Sequence, residues 1–73
     1  MTRVQVESSM ISAVGYDEKT QSMEVTFNSG SIYRYLEVPK EVFEGLLAAD
    51  SKGSYMHAHI LDCYADEQVR RKR

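Results

Sequence analysis

At 73 residues the chain has room for one domain. A domain this small buries only about 60% of its unfolded surface, so self-association is a natural support for its core. A hydrophobic content of 42% with seven aromatic residues excludes a disordered tail. No apolar run is long enough to cross a bilayer, and the N-terminus lacks the basic-then-apolar layout of a signal peptide. A single cysteine, Cys63, can make no internal disulfide, which suits a reducing compartment. The expected location is therefore the cytoplasm, with no membrane partner.

The net charge is −2, unevenly spread, because four of the nine basic residues are Arg70, Arg71, Lys72 and Arg73. Without that run, five basic residues face eleven acidic ones, a balance of −6. An acidic body opposes broad phosphate-backbone binding, which draws its affinity from Lys and Arg. The basic run is either a solvated end or a flexible phosphate contact.

In chain order, Val4 and Val6 alternate weakly and suit a short edge strand or an ordered arm. Residues Met10 to Tyr16 read as a strand, and Asp17 to Gln21 as a polar turn. Met23, Val25 and Phe27 alternate with Glu24 and Thr26, the pattern of a half-buried strand. Asn28-Ser29-Gly30 closes a hairpin, and a three-residue loop with Gly30 in the left-handed region matches a type I turn plus bulge.

That loop length sets the next strand. Phe27 then faces Ser31, Val25 faces Tyr33 and Met23 faces Tyr35, which puts both tyrosines on the apolar face. Ile32, Arg34 and Leu36 lie on the other side. A loop one residue longer or shorter inverts the faces. The first register is favoured because it gathers Met23, Val25, Phe27, Tyr33 and Tyr35 into one core face.

Val38-Pro39 ends the strand and opens a helix over Lys40 to Ala49, whose apolar stripe is Val42, Phe43, Leu46 and Leu47, with Ala49 a further candidate. Asp50 to Ser54 breaks the chain. A second helix is expected from about Ser54 to Tyr64, with Met56, Ile60, Cys63 and Tyr64 on one side. Ala65 to Arg73 either extends it or frays. The fold class expected is α+β: a three-stranded antiparallel sheet, four-stranded if the N-terminal segment pairs, with two helices on one face.

Several short pieces, taken in order, carry a resemblance. They are Ser8-Ser9, Val14-Gly15-Tyr16-Asp17, Phe27 with Gly30, Tyr33-x-Tyr35, Val38-Pro39, and Ala49-x-Ser51-Lys52-Gly53-Ser54-Tyr55 followed by Ile60 and Tyr64. Together they resemble the KTSC domain, named for the C-terminal extension of some lysyl-tRNA synthetases and also found as free-standing small bacterial and phage proteins. The resemblance spans about Ser8 to Tyr64 and implies a single domain over residues 1–73, with a core at 8–64 and a basic tail at 65–73. It also implies a central tyrosine pair, a suggested role in RNA binding and no catalytic activity.

The candidate contact groups each have a structural counterpart. Tyr33 and Tyr35 are suited to stacking on bases, or to filling the core with their hydroxyls at its rim. Arg34 suits a subunit interface or a phosphate. Ser51, Lys52, Gly53 and Ser54, with the Tyr55 backbone, offer amides, hydroxyls and an ammonium to a phosphate, but the same residue types also cap a helix. This is no Walker A loop, which needs wider glycine spacing and a Gly-Lys-Ser/Thr ending. His57 is a further ligand candidate beside that loop. His57 and His59 point apart on a helix, and His59 with Cys63 makes only half of a zinc site, so a solvated histidine and a packed cysteine are expected and no metal or cofactor is assigned.

These residues support a non-enzymatic binding module for a phosphate-bearing partner, with RNA suggested by the family. An alternative is an oligomeric phage-type protein that sequesters a small nucleotide signal, and a third is a protein-docking or regulatory module. Self-association through the face of Ile32, Arg34 and Leu36 is expected, because that face would otherwise leave apolar area exposed.

Overall fold

The computed structural model describes residues 2–61 and 63–70. Five strands form one antiparallel sheet in the order β1-β2-β3-β4-β5: β1 (Thr2–Gln5), β2 (Ile11–Asp17), β3 (Ser22–Phe27), β4 (Ile32–Tyr35) and β5 (Asp66–Arg70). Two helices, α1 (Lys40–Ala48) and α2 (Lys52–His59), lie between β4 and β5 in sequence. The α+β class and the two helices match the sequence reading, while three or four strands undercounts the sheet by at least one.

The extra strand is β5, where the sequence suggested a helical extension or a frayed end. Asp66-Glu67-Gln68-Val69-Arg70 has only one apolar side chain and so no burial pattern to betray it. Main-chain pairing with β4 holds it, Tyr33 opposite Gln68 and Arg34 opposite Glu67. A ladder of this kind needs little from side chains. The helix expected to run to Tyr64 stops at His59, and Ile60 caps it with φ −125° and ψ −53°. A tight turn follows, in which the Leu61 amide donates to Met56 O and the Cys63 amide to Ile60 O.

The central hairpin has the expected register. Met23 pairs with Tyr35 and Val25 with Tyr33, the Phe27 amide donates to Ser31 O at 2.9 Å, and Gly30 has φ 99°. The consequence is two core rows, Val4–Val14–Val25–Tyr33 and Tyr16–Met23–Tyr35, reading across the strands. Both helices cover this face. Ile11, Val14, Tyr16, Met23, Val25 and Tyr35 from the sheet are buried with Val38, Phe43, Leu46, Met56 and Ile60. Tyr16 stacks on Phe43 at 5.1 Å between centroids, and its hydroxyl donates to Val38 O at 2.5 Å, which anchors the entry to α1.

Pro39 occupies the N-cap of α1 with φ −62° and ψ 147°, where its missing N–H costs nothing. Phe43 and Leu46 are the buried part of the α1 stripe, and Glu41 and Glu44 point to water. At α2, Ser51 is the N-cap and its Oγ accepts from the Ser54 amide at 3.4 Å.

Candidate functional site

The nine candidate contact residues do not converge on one place. The sheet separates them, since Arg34 projects from the face opposite the helices while Tyr33, Tyr35 and α2 lie on the helical side. On the open face, register places Arg3, Gly15, Glu24, Arg34 and Glu67 in one row across all five strands. The row is an ion ladder: Arg34 donates to Glu24 Oε2 and to Glu67 Oε1, both at 2.9 Å, and Arg3 reaches past Gly15 to Glu24 Oε1 at 3.3 Å. Glycine at position 15 leaves the gap that Arg3 bridges. The Glu24 side chain is only 12% exposed, so its two arginines neutralise a nearly buried carboxylate. The same two carboxylates raise the Arg34 pKa above its ordinary value, through hydrogen bonds to Glu24 first and Glu67 second. Arg34 is therefore committed to holding the back of the sheet.

The two tyrosines have different surroundings. Tyr35 is 2% exposed, and burial, with smaller contributions from Asp66 and Tyr33, pushes its phenol up to about 12. Tyr33 is half-buried and meets Phe27 edge-to-face, with centroids 5.6 Å apart. Only Tyr33 retains ring surface for a partner. Beside it runs β5, whose last residue, Arg70, is in register with Ile32, the residue before Tyr33. The chain's basic run thus begins opposite the strand position that precedes the one central tyrosine that is partly open.

The Ser51–Tyr55 stretch forms the start of α2, and most of its polar groups have internal partners. Ser51 Oγ also donates to Ser54 Oγ at 3.0 Å, Lys52 Nζ donates to Ala49 O at 3.1 Å, and the Tyr55 hydroxyl donates to Val42 O at 3.2 Å. Gly53 packs near the Met10 side chain, 3.5 Å separating Met10 Sδ from where a glycine Cβ would stand. These contacts fix the approach of α2 to α1 and to the β2 entrance. His57 is exposed, and the His59 ring lies 4.6 Å from the Tyr55 ring. Cys63, expected to be packed, is exposed instead, because the helix that would have turned it inward ends four residues earlier. Among the described residues no cluster of three or more His, Cys, Asp or Glu could hold a metal ion, and no helix is long and apolar enough to cross a membrane.

Sequence reasoning missed Glu24 and Glu67 as the partners of Arg34, although their alternation opposite Arg34 was a usable signal for Glu24. Nothing in the pattern pointed to Glu67, because β5 itself was not visible.

A five-stranded antiparallel meander with a helix pair inserted before its last strand defines a small α+β domain with one covered face. The KTSC domain family model matches residues 7–64, and the chain belongs to that family. A KTSC domain protein from Yersinia pestis has a crystal structure that superposes with a TM-score of 0.90 at 29% identity, over 94% of this chain and 97% of that one. An uncharacterized protein of Stutzerimonas stutzeri is 47% identical over 57 residues, 78% of this chain and 80% of its own length. The lysine--tRNA ligase of a Nostoc species is 44% identical over 63 residues, which are 86% of this chain but 11% of the ligase. The domain thus occurs both as nearly the whole of small proteins and as a minor part of a large one.

Proposed function

We propose that the chain is a non-enzymatic binding module for a phosphate-bearing partner, RNA foremost, and that it engages this partner where β5 runs beside Tyr33. The observation that carries the reading is the β4–β5 register, which pairs β5 with the strand of the half-buried Tyr33 and sets Arg70, the first residue of the basic run, opposite the neighbouring Ile32. An aromatic ring for a base and cations for the adjacent phosphates are the two elements of single-strand recognition. The remaining body carries −6, so attraction is confined to this end and a footprint of few phosphates is expected. The relatives that carry the domain within lysine--tRNA ligases support RNA as the class of partner.

The test is titration of a labelled single-stranded RNA with the full chain at several salt concentrations. Binding should weaken steeply with salt, and changing Arg70, Arg71, Lys72 and Arg73 together to Gln should remove most of that slope. Tyr33→Ala should weaken binding by about 1–3 kcal/mol at unchanged slope. Affinity that ignores both changes would sink the reading. Saturable binding of a small nucleotide that depends on Lys52 and not on salt would replace it with nucleotide capture, and dependence on Ile32→Glu or Leu36→Glu alone would replace it with protein docking.

A further inference from the structure

Three of the chain's four methionines lie among the described residues, and their surroundings differ. Met23 and Met56 are 0% exposed, whereas Met10 is only partly buried where it packs against the core. Met10 stands where three segments meet. Its amide donates to Ser8 Oγ at 3.2 Å in the link from β1 to β2, and its carbonyl accepts from the Asn28 amide of the β3–β4 loop at 3.0 Å. Asn28 Nδ2 closes the arrangement by donating to Ser8 O at 2.9 Å. The Met10 backbone is thus tied to the sheet side of the domain. Its side chain reaches across to the first turn of α2, where Sδ is 3.5 Å and Cβ 3.7 Å from where a Cβ of Gly53 would stand. A thioether suits a contact with bare backbone because it is soft and apolar. Within its own span α2 fully buries only Met56, so it has few other contacts of this kind to seat it.

We propose that Met10 is a site of oxidative modification, and that its sulfoxide releases α2 from the β2 entrance. Hydrogen peroxide is the oxidant. A sulfur lone pair attacks one peroxide oxygen, the S–O bond forms as the O–O bond breaks, and the second oxygen takes the proton of the first and leaves as water. Sulfur loses two electrons and the peroxide gains them. The product carries a polar S=O group where a soft apolar sulfur stood, which disrupts a packed contact. Because the Met10 backbone is held at both its N–H and its C=O, the displacement falls on Gly53 and on the helix that begins there. The change is reversible, since methionine sulfoxide reductases return the thioether.

The inference is independent of the RNA reading, and the experiment contains no nucleic acid. The full chain carrying Cys63→Ser, which removes the exposed thiol as a competing target, is treated with hydrogen peroxide. Peptide mapping by mass spectrometry should show Met10 gaining one oxygen about tenfold or more faster than Met23 and Met56, which react only through opening of the core. In the oxidised protein the amides of Tyr55 and Ile60, which donate to Ser51 O and Met56 O at 3.0 Å, should exchange with deuterium about tenfold faster, while those of β3 keep their rates. Treatment with the two epimer-specific reductases should restore the parent exchange. Met10→Leu keeps the volume and removes the sulfur, so the same peroxide treatment should leave its α2 exchange unchanged. A Met10 that reacts no faster than Met23 and Met56 overturns the inference, as does an oxidised protein whose α2 exchange is unaltered. So does acceleration of β3 to the same extent, because the damage would then be global, or a Met10→Leu variant that responds to peroxide as the parent does.

Discussion

Tyr55 of α2 rests on Gly45 of α1 so closely that a Cβ at position 45 would overlap the Tyr55 hydroxyl, with the ring carbon Cζ 3.0 Å away. The same hydroxyl donates to Val42 O at 3.2 Å. The helix pair is thus held by an aromatic ring lying on bare backbone. Glycine inside a helix is ordinarily about 1 kcal/mol worse than alanine, so Gly45→Ala in isolation should stabilise α1. Here it is expected to destabilise the domain by about 1–3 kcal/mol through overpacking, and to become neutral or stabilising in a Tyr55→Ala background. Urea unfolding of the two single variants and the double variant checks the reversal of sign.

The ion ladder on the open face makes a graded prediction. Glu24 accepts from both Arg3 and Arg34 and is nearly buried, while Glu67 is 54% exposed. Double-mutant cycles to Ala should give a measurable coupling for Arg34–Glu24, and weaker couplings for Arg3–Glu24 and Arg34–Glu67, whose other partners are more exposed. Raising the salt concentration should diminish the two weaker couplings first.

Much of the fold was legible because its central hairpin obeys a strict period of two. Gathering Phe27 and the tyrosine pair on one apolar face favoured the register that the structure has over its inverse, and the Pro39 boundary announced α1. The end of α2 was not legible, because Cys63 and Tyr64 continue the helical spacing past the point where Ile60 leaves helical geometry. β5 was illegible for a different reason: its stability lies in main-chain pairing, and the side chains from Asp66 to Val69 are exposed, Val69 alone among them apolar. The period of two also placed Arg34 on the face away from Tyr33 and Tyr35, as the register has it, but its partner Glu67 was not legible because it comes from β5.

The buried phenols predict an alkaline limit to stability. Tyr35 is raised from 10.0 to about 12 by burial, and Tyr16 is raised by burial and by Glu18. A group with a raised folded pKa contributes its full stability below the unfolded value and loses it as pH climbs through the folded one. Stability should therefore hold up to about pH 10 and fall by about 2–3 kcal/mol towards pH 12 for Tyr35 alone. Tyr35→Phe should flatten that decline in a pH series of urea midpoints.

Two exposed residues, Gln21 and Glu37, hold φ 57°. Gln21 sits at the end of the β2–β3 turn, where its carbonyl accepts from the Val38 amide at 2.8 Å, and Glu37 lies in the link from β4 to α1. Left-handed geometry disfavours side chains by about 1–2 kcal/mol, and glycine's extra freedom when unfolded returns part of the gain. Glu37→Gly and Gln21→Gly should each raise stability by about 0.5–1 kcal/mol, measured by thermal unfolding.

The strand order has a kinetic consequence. β1 through β4 pair with their sequence neighbours, but β4 and β5 meet only after the segment 36–65 has formed both helices and returned. Closing that excursion is the least local step in the chain, and the strand it delivers carries exposed side chains that add little burial. The last junction made is then the first to open. Amides of β5 should exchange with solvent well before those of β2 and β3, which makes the outer border of β4, Tyr33 included, intermittently available while the rest of the domain stays folded.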